Sequence, residues 1–308
     1  MGTRCAIEVR NLTKCYGPTL AVDDLSFAVR PGCVTGFLGP NGAGKSTTMR
    51  AILGLDAPTR GEALIGGRRY VDLKRPMHEV GALLNANAVH PGRGAFDHLL
   101  SLALTNGIGS VRVNTMLDQV GLAGVARKKV GGFSLGMKQR LGIAAALLGD
   151  PGVLLFDEPV NGLDPEGVRW IRDLMRGLAA EGRTVLLSSH LMSEMALTAD
   201  RLVIIGRGRL IADTSVTELA ERFQRGVRVR SPRPAELSAA LESVGATVAA
   251  DCGGALLVTG LGVDGIGDLA AGVGIPVYEM TPQRASLEDA YTELTAGSVE
   301  YRGERFAS

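Results

Sequence analysis

The sequence lacks the features of secreted, membrane-spanning or nucleic-acid-binding chains. Its 308 residues carry a formal net charge of +1, which gives no bulk attraction to nucleic acid or anionic lipid. It contains no run of roughly 18 uncharged apolar residues, the length that a bilayer span needs. The nearest run, 141–156, is interrupted by Asp150 and Pro151. The amino terminus lacks a basic region followed by an apolar core, so we expect neither a membrane span nor a signal peptide.

Cysteines and aromatic residues are also scarce. The four cysteines, at positions 5, 15, 33 and 252, form no C-x-x-C pair and no Cys/His metal spacing. Scattered thiols suit a reducing compartment. Aromatic residues make up only 4% of the chain, but the apolar fraction of 45% supports one large or two smaller domains with a real core.

One stretch, Gly39–Thr47, organises the rest of the chain. It follows an apolar run, 34–38, that predicts a strand, and it precedes a predicted helix at 48–53. In this context G-x-x-x-x-G-K-[ST] indicates a phosphate-binding loop, whose glycines let several N–H groups point into one concavity. Lys45 is expected to reach the β- and γ-phosphates and the Ser46 hydroxyl to ligate Mg²⁺. The alternative is a chance match, which the strand–helix context disfavours.

Two further strands are predicted to end in polar side chains. The apolar run 153–156 reads as a strand buried on both faces, and Asp157 and Glu158 follow it. Isolated buried carboxylates are costly, and a nucleotide-bound Mg²⁺ removes that cost. We therefore expect Asp157 to hold the metal and Glu158 to polarise the attacking water; the alternative is a pair facing solvent. The run 184–189 ends in His190, a candidate γ-phosphate contact for the same positional reason.

The rest of the chain predicts a helical insertion and a carboxyl-terminal appendage. Residues 95–125 carry apolar residues at helical spacing, and Ser134 is placed to cap a further helix. From about residue 225 short strands and helices follow. They include a strand predicted at 275–278 and a capping box at Ser286. This appendage shows no catalytic constellation.

These motifs, in this order, resemble the nucleotide-binding subunit of ATP-binding cassette (ABC) transporters over about residues 6–220. The matching segments are Walker A at Gly39–Thr47, the LSGGQ signature position at Phe133–Met137, Walker B with its catalytic glutamate at Phe156–Pro159, the D-loop at Gly162–Asp164 and the switch histidine at His190. Tyr16 falls at the position whose aromatic ring stacks on adenine, although spacing alone favours a strand-end residue.

The resemblance implies an α/β P-loop cassette with a mixed sheet core and a helical insertion. The cassette would cover residues 1–224, with its helical subdomain at about 85–150, and a small α+β accessory domain would cover 225–308. Catalytic roles are implied for Lys45, Glu158 and His190, and metal contacts for Ser46, Asp157 and Asn85. The implied nucleotide contacts are Tyr16, Gly39, Pro40, Asn41, Gly42, Ala43, Gly44, Lys45, Ser46, Thr47, Asn85, Ser134, Gly136, Asp157 and Asp164.

A finer resemblance is to self-protection and drug exporters of the daunorubicin and bacitracin resistance type. It is carried by an SLGM-type signature, the segment His90–Arg93 and a SLED-like helix near the carboxyl end. Two departures stand out. Asn85 occupies the position of the family's Q-loop glutamine, and Leu135 and Met137 replace a glycine and a glutamine of the signature. The signature's serine and second glycine are retained.

The function implied is the ATP-hydrolysing subunit of an exporter of drugs or antimicrobial compounds. Two copies would bind ATP and Mg²⁺ between them and drive a separate transmembrane permease, docked near Asn85 and residues 95–125. The location implied is cytoplasmic, peripheral on the inner face of the cell membrane, with no nucleic-acid partner. The alternative is a soluble ABC ATPase that acts on ribosomes or nucleic acid without a permease. A P-loop kinase would leave Phe133–Met137 and His190 unexplained.

Overall fold

The computed structural model describes residues 6–251, 253–284 and 287–295. These residues form two compact units. Of the described residues, the first comprises those up to Val216 together with Leu294 and Thr295, and the second comprises Thr217–Glu293. Among the described helices, none is long and apolar enough to cross a membrane.

A six-stranded sheet forms the centre of the first unit. Its strands are β3 (Val34–Leu38), β5 (Val80–Leu83), β6 (Val153–Asp157), β7 (Thr184–Ser189), β8 (Arg201–Gly206) and β9 (Arg209–Ser215). They lie in the order β5-β6-β7-β3-β8-β9, the first five parallel and β9 antiparallel to β8. The apolar runs of β3 and β7 are buried along their whole length, as expected for a parallel sheet covered on both faces.

A second, antiparallel sheet lies in the same unit. It consists of β1 (Ile7–Tyr16), β2 (Thr19–Val29) and β4 (Arg60–Ile65) in the order β2-β1-β4. The two sheets share a hydrophobic core, in which Phe27 of β2 stacks on Phe37 of β3 with ring centroids 5.2 Å apart. The parallel and antiparallel strands together confirm the predicted mixed α/β core.

Seven helices complete this unit as described. They are α1 (Lys45–Ile52), α2 (Pro76–Glu79), α3 (Ala95–Thr105), α4 (Ser110–Gln119), α5 (Leu135–Leu147), α6 (Pro165–Ala180) and α7 (Met192–Thr198). Helices α3, α4 and α5 pack together between β5 and β6 in the chain, which confirms the helical insertion. The Ser134 hydroxyl accepts the Met137 N–H and so caps α5 as predicted. At the carboxyl end of α5, Arg112 donates to the carbonyl oxygens of Leu147 and Leu148, which accept no hydrogen bond from within the helix.

The second unit is a small α+β fold. Its elements are α8 (Val216–Arg222), β10 (Gln224–Arg230), α9 (Pro234–Ser243), β11 (Thr247–Asp251), β12 (Ala255–Thr259), α10 (Val263–Gly272), β13 (Glu279–Arg284) and α11 (Leu287–Thr295). The strands form an antiparallel sheet in the order β11-β12-β10-β13, the split β-α-β arrangement. Val227 and Val258 of the sheet pack with Leu237 and Ile266 of the helices in one core.

One strand prediction in this unit is wrong, and one strand was missed. The strand predicted at 275–278 is wrong: Ile275 is buried in the core, but the strand begins only at Glu279. Pro276 has no N–H to donate to a sheet, and its carbonyl accepts from Ser231. The strand β11 was not predicted, because it is an edge strand with no fully buried residue. The capping residue Ser286 lies outside the described residues.

We expect Phe37→Ala to lower the free energy of unfolding of the first unit by about 3–5 kcal/mol, because Phe37 is fully buried against Phe27. Urea unfolding followed by the fluorescence of Trp170, the single tryptophan, reports on this unit. Leu104→Ala is the control: Leu104 is 65% exposed and should cost less than about 0.5 kcal/mol. Equal losses in the two variants would contradict the packing described here.

Candidate functional site

The loop between β3 and α1 is shaped by its glycines. Gly44 has φ +99°, a left-handed conformation, and α1 begins at the next residue, Lys45. A Cβ atom on Gly44 would lie 2.6 Å from the Ala21 carbonyl oxygen, and one on Gly39 would lie 2.6 Å from that of Ile205. Neither position therefore accepts a side chain without a shift of the backbone. The loop is a tight cradle at a helix amino terminus, which is a favourable place for an anion.

Lys45 is buried at the floor of this cradle. Its side chain is 7% exposed, and Nζ donates to the carbonyl oxygens of Gly39 at 2.7 Å and Pro40 at 3.3 Å. Burial lowers the pKa of Lys45, and the nearby carboxylates of Glu158 and Asp157 oppose that shift. A buried ammonium beside a glycine cradle is suited to bind phosphate oxygens.

Glu158 reaches the same place from the end of β6. Its carboxylate lies 3.5 Å from Lys45 Nζ through Oε1 and 2.9 Å from His190 Nδ1 through Oε2. An ionised carboxylate only accepts hydrogen bonds, so His190 Nδ1 carries the proton in this contact. Glu158 has φ +49°, a conformation that costs a non-glycine residue about 1–3 kcal/mol unless its surroundings hold it.

Ser188 joins the two acidic residues. It lies opposite Asp157 in the register of β6 and β7. Its hydroxyl donates to Asp157 Oδ1 and accepts the backbone N–H of Glu158 at 3.0 Å. The carboxyl ends of two neighbouring strands are therefore connected side by side at this edge of the sheet.

A cavity of about 230 Å³ lies over this arrangement and is lined by Ala21, the loop residues 41–47 and Glu158. The described residues hold no group of three or more His, Cys, Asp and Glu side chains that could bind a metal ion by themselves. The Asp157 carboxylate and the exposed Ser46 hydroxyl are oxygen donors of the kind that Mg²⁺ prefers. These residues thus fit a Mg²⁺ ion that takes its remaining ligands from phosphates and water.

Tyr16 stands at the end of β1 with 45% of its surface exposed. Its hydroxyl donates to Asp56 at 2.6 Å, and Asp56 also forms an ion pair with Arg50. The Arg50 guanidinium, together with the Tyr16 hydroxyl, lowers the pKa of Asp56 to about 2. Lys14 Nζ lies 4.9 Å from the centre of the Tyr16 ring. The ring is thus held at its hydroxyl while much of its surface stays open.

The signature segment starts α5. Ser134 is exposed at the helix amino terminus, and Leu135 lies over the turn at Gly162: a Cβ on Gly162 would be 2.2 Å from Leu135 Cδ2. A Cβ on Gly136 would likewise lie 3.0 Å from Leu163. Asp164 uses its carboxylate to accept the Gly167 N–H and cap α6.

Asn85 lies in a different place. It lines a larger groove of about 570 Å³, together with Leu84, Ala88, His98 and Leu102. The Asn85 side-chain oxygen accepts the backbone N–H of Asn87 at 2.8 Å. Lys45, Asp157, Glu158 and His190 are brought together by the described contacts, whereas none of those contacts joins Asn85 to them. Its role as a metal contact stays a prediction.

Three residues of this region did not emerge from the sequence. Ser188 shares the site with the predicted acids, and Asp56 anchors Tyr16. Gln139 on α5 places Nε2 3.5 Å from the Glu158 carbonyl oxygen, while its Oε1 is buried and has no hydrogen-bond partner in the described part of the chain. Buried hydroxyls in the apolar run of β7 were the one available signal, and that signal does not distinguish Ser188 from Thr184 or Ser189.

A glycine cradle with a buried lysine, facing two acids from the end of a parallel strand, defines a P-loop nucleotide-binding protein. Residues 22–161 match the ABC transporter family, and residues 225–288 match a domain of unknown function (DUF8746). The chain is 35% identical to the uncharacterized ABC transporter ATP-binding protein YhcH of Bacillus subtilis, over 96% of this chain and 98% of that protein. The chain belongs to the family of ABC transporter ATP-binding proteins.

Other relatives match about two thirds of the chain or more. The bacitracin transport ATP-binding protein BcrA of Bacillus licheniformis is 40% identical over 71% of this chain and 72% of its own length. The lantibiotic transport ATP-binding protein SrtF of Streptococcus pyogenes is 34% identical over 67% of this chain and 90% of its own length. The first unit is thus an ATP-binding cassette.

Solved structures give the same fold. An ATP-binding subunit of an ABC transporter superposes with a TM-score of 0.64 at 29% identity, covering 71% of this chain and 93% of that one. A dimeric ATP-binding cassette in a post-hydrolysis state, bound to ADP and Pi, superposes with a TM-score of 0.63 at 25% identity, covering 68% and 98%. The predicted cassette fold is confirmed.

We expect Gly44→Ala to weaken nucleotide binding by at least about tenfold, because alanine at φ +99° is strained and its Cβ meets the Ala21 carbonyl. The measurement is fluorescence titration with a mant-labelled ATP. Gly152→Ala is the matched control, since a Cβ there has nothing within 4 Å and needs no left-handed backbone. Wild-type affinity in Gly44→Ala would show that the cradle does not bind the nucleotide.

Proposed function

We propose that this chain is the ATP-hydrolysing subunit of an exporter of drugs or antimicrobial compounds, and that it powers a separate transmembrane permease. The observation that carries the proposal is the meeting of Lys45, Glu158 and His190 beside the glycine cradle. The names of the bacitracin and lantibiotic transport relatives support the substrate class. Their names concern transport, so we do not propose the soluble alternative that acts on ribosomes or nucleic acid.

The cradle residues have distinct roles in binding. Backbone N–H groups of Gly39–Thr47 and the Lys45 ammonium bind the phosphates, and Tyr16 stacks on adenine. Ser46 and Asp157 hold Mg²⁺, with Asn85 as a further contact. Held by these residues, Mg²⁺ would supply positive charge that offsets the negative charge of the phosphates during transfer.

Glu158 acts on the attacking water. Lys45 and His190 fix its two carboxylate oxygens, so the carboxylate is oriented before a water molecule arrives. It accepts a hydrogen bond from that water, directs the oxygen toward the γ-phosphorus, and takes the water's proton as the new P–O bond forms and the bond to the leaving ADP oxygen breaks. Because the Nδ1–H of His190 is bonded to Glu158, donation to the γ-phosphate uses Nε2–H and requires the imidazolium form, which carries both N–H groups. Catalysis of this kind is positioning together with charge stabilisation.

A second copy completes the site. Ser134 and Gly136 lie at the amino terminus of α5, where a 13-residue helix directs its positive dipole end outward. We propose that these residues cap the γ-phosphate held by another copy, in a head-to-tail homodimer that also involves Asp164. The dimeric cassette among the solved structures supports this arrangement.

The permease is proposed to bind the larger groove. Many of the residues that line the groove are apolar residues of β5 and the helical insertion, and Asn85 is also among them. A permease loop seated there would place this chain at the inner face of the cell membrane, in the cytoplasm. We propose a cassette of residues 1–224, with a helical subdomain at about 85–150, and an accessory domain of 225–308; this boundary lies a few residues beyond the division of the two compact units after Val216.

Glu158→Gln is expected to bind ATP and dimerise but to hydrolyse ATP about 10²–10⁴-fold more slowly, because the amide cannot take a proton from water. Turnover is measured by phosphate release, and dimerisation by light scattering with ATP. Glu181→Gln is the control: this exposed residue lies beside the start of β7, at the opposite edge of the sheet. Normal turnover in Glu158→Gln would remove Glu158 from the mechanism.

Ala88→Arg is expected to abolish stimulation of ATP hydrolysis by the permease that co-purifies with the wild-type chain, because the charged side chain fills the apolar groove. Its intrinsic affinity for mant-ATP should stay at the wild-type value. The control is Ala180→Arg, an exposed residue at the end of α6. If Ala88→Arg is stimulated like the wild type, the permease does not bind this groove.

A further inference from the structure

Ser188 is an unusual residue for its place in the sheet. It follows Val185, Leu186 and Leu187 in β7 and is itself fully buried. A buried hydroxyl costs free energy unless it is hydrogen-bonded. Here the hydroxyl is used twice, as a donor to Asp157 Oδ1 and as an acceptor from the Glu158 N–H. One oxygen atom thus connects the two acids.

The bond to the Glu158 N–H acts on the backbone. Glu158 is one of few non-glycine residues with a positive φ in the described part of the chain, and its N–H donates to the Ser188 hydroxyl of the neighbouring strand. Two residues further along β7 and its exit, His190 holds the carboxylate of the same Glu158. The end of β7 therefore fixes both the backbone and the side chain of Glu158.

The bond to Asp157 acts on a carboxylate. A donor on Oδ1 restricts the rotation of the group and leaves Oδ2 for another partner. Hydrogen bonds of this kind orient metal-binding side chains, and their loss typically reduces metal affinity or activity about 10–100-fold. The neighbouring Ser189 gives the contrast, because its hydroxyl accepts the Leu191 N–H within its own turn and contacts neither acid in the bonds described.

We propose that Ser188 is the positioning residue of this active site: its hydroxyl sets Asp157 for Mg²⁺ and Glu158 for the attacking water at the same time. The inference rests on the proposed function, since it assigns the two acids those roles. It adds a residue of β7 that touches neither the nucleotide nor the water and acts only through its neighbours.

The test is Ser188→Ala in the full chain. We expect kcat for ATP hydrolysis to fall about 10–100-fold while KM for ATP at saturating Mg²⁺ changes less than about threefold. The second readout is binding of mant-AMP-PNP, a non-hydrolysable analogue. The Mg²⁺ concentration that gives half of the Mg²⁺-dependent binding should rise about tenfold, while binding in EDTA stays at the wild-type value.

Thr184→Val is the matched control. It removes a buried hydroxyl from the same strand, at the end opposite the site, and should leave kcat and the Mg²⁺ midpoint unchanged. Thermal unfolding of each variant shows that it is folded at the assay temperature. If Ser188→Ala is not folded, Ser188→Cys takes its place, because a thiol has nearly the same shape but is a weak donor and acceptor.

Wild-type kcat and an unshifted Mg²⁺ midpoint in a folded Ser188 variant would overturn the inference. An equal defect in Thr184→Val would also overturn it, because the effect would then be that of any lost hydroxyl in this strand. Measurements on the wild-type chain distinguish a failure of this inference from a failure of the proposed function. If the wild type neither binds mant-AMP-PNP with Mg²⁺ nor hydrolyses ATP, the proposed function itself is wrong.

Discussion

Two carboxylates at the end of a buried strand need partners, and this requirement determines the arrangement around Glu158. Its oxygens contact Lys45 and His190, and its backbone N–H contacts Ser188. These partners come from the start of α1 and the end of β7, so the strained backbone at Glu158 is held from two sides. If one of these partners were removed, the half-buried carboxylate of Glu158 would lose part of its stabilisation. We therefore expect Glu158 and its three partners to act as a unit.

The sheet topology makes these contacts possible. Strand β7 lies between β6, which carries the acids, and β3, which leads into the glycine cradle. All three strands are parallel, so their carboxyl ends meet at one edge, where ligands of open α/β sheets bind. A strand in that middle position contributes to the site only through its last residues. The polar end of β7, Ser188 to His190, follows from this geometry.

The sequence was sufficient for elements marked by a buried apolar run and a polar exit. The strands at 34–38 and 184–189 have the predicted bounds, and Ser134 caps its helix as expected. The sequence is not sufficient where the role of a residue depends on a contact with a neighbouring strand. The role of Ser188 depends on its register against Asp157, which no local pattern reveals. Edge strands such as 247–251 have no fully buried side chain, so their sequence does not need the alternation of apolar and polar residues by which a strand is predicted.

The signature segment shows what a comparison with the family pattern leaves out. By that pattern, Leu135 is only a departure from glycine. In the fold Leu135 lies against Gly162, where an added Cβ would force the Leu135 side chain to move. Gly162 also has φ +73°, a conformation that favours glycine. The contact joins the amino terminus of α5 to the turn that follows Glu158, through Asn161 N–H bonded to the Glu158 carbonyl. Leucine at this position therefore adds an apolar link, within one chain, between the helix start that presents Ser134 and the loop that leaves Glu158.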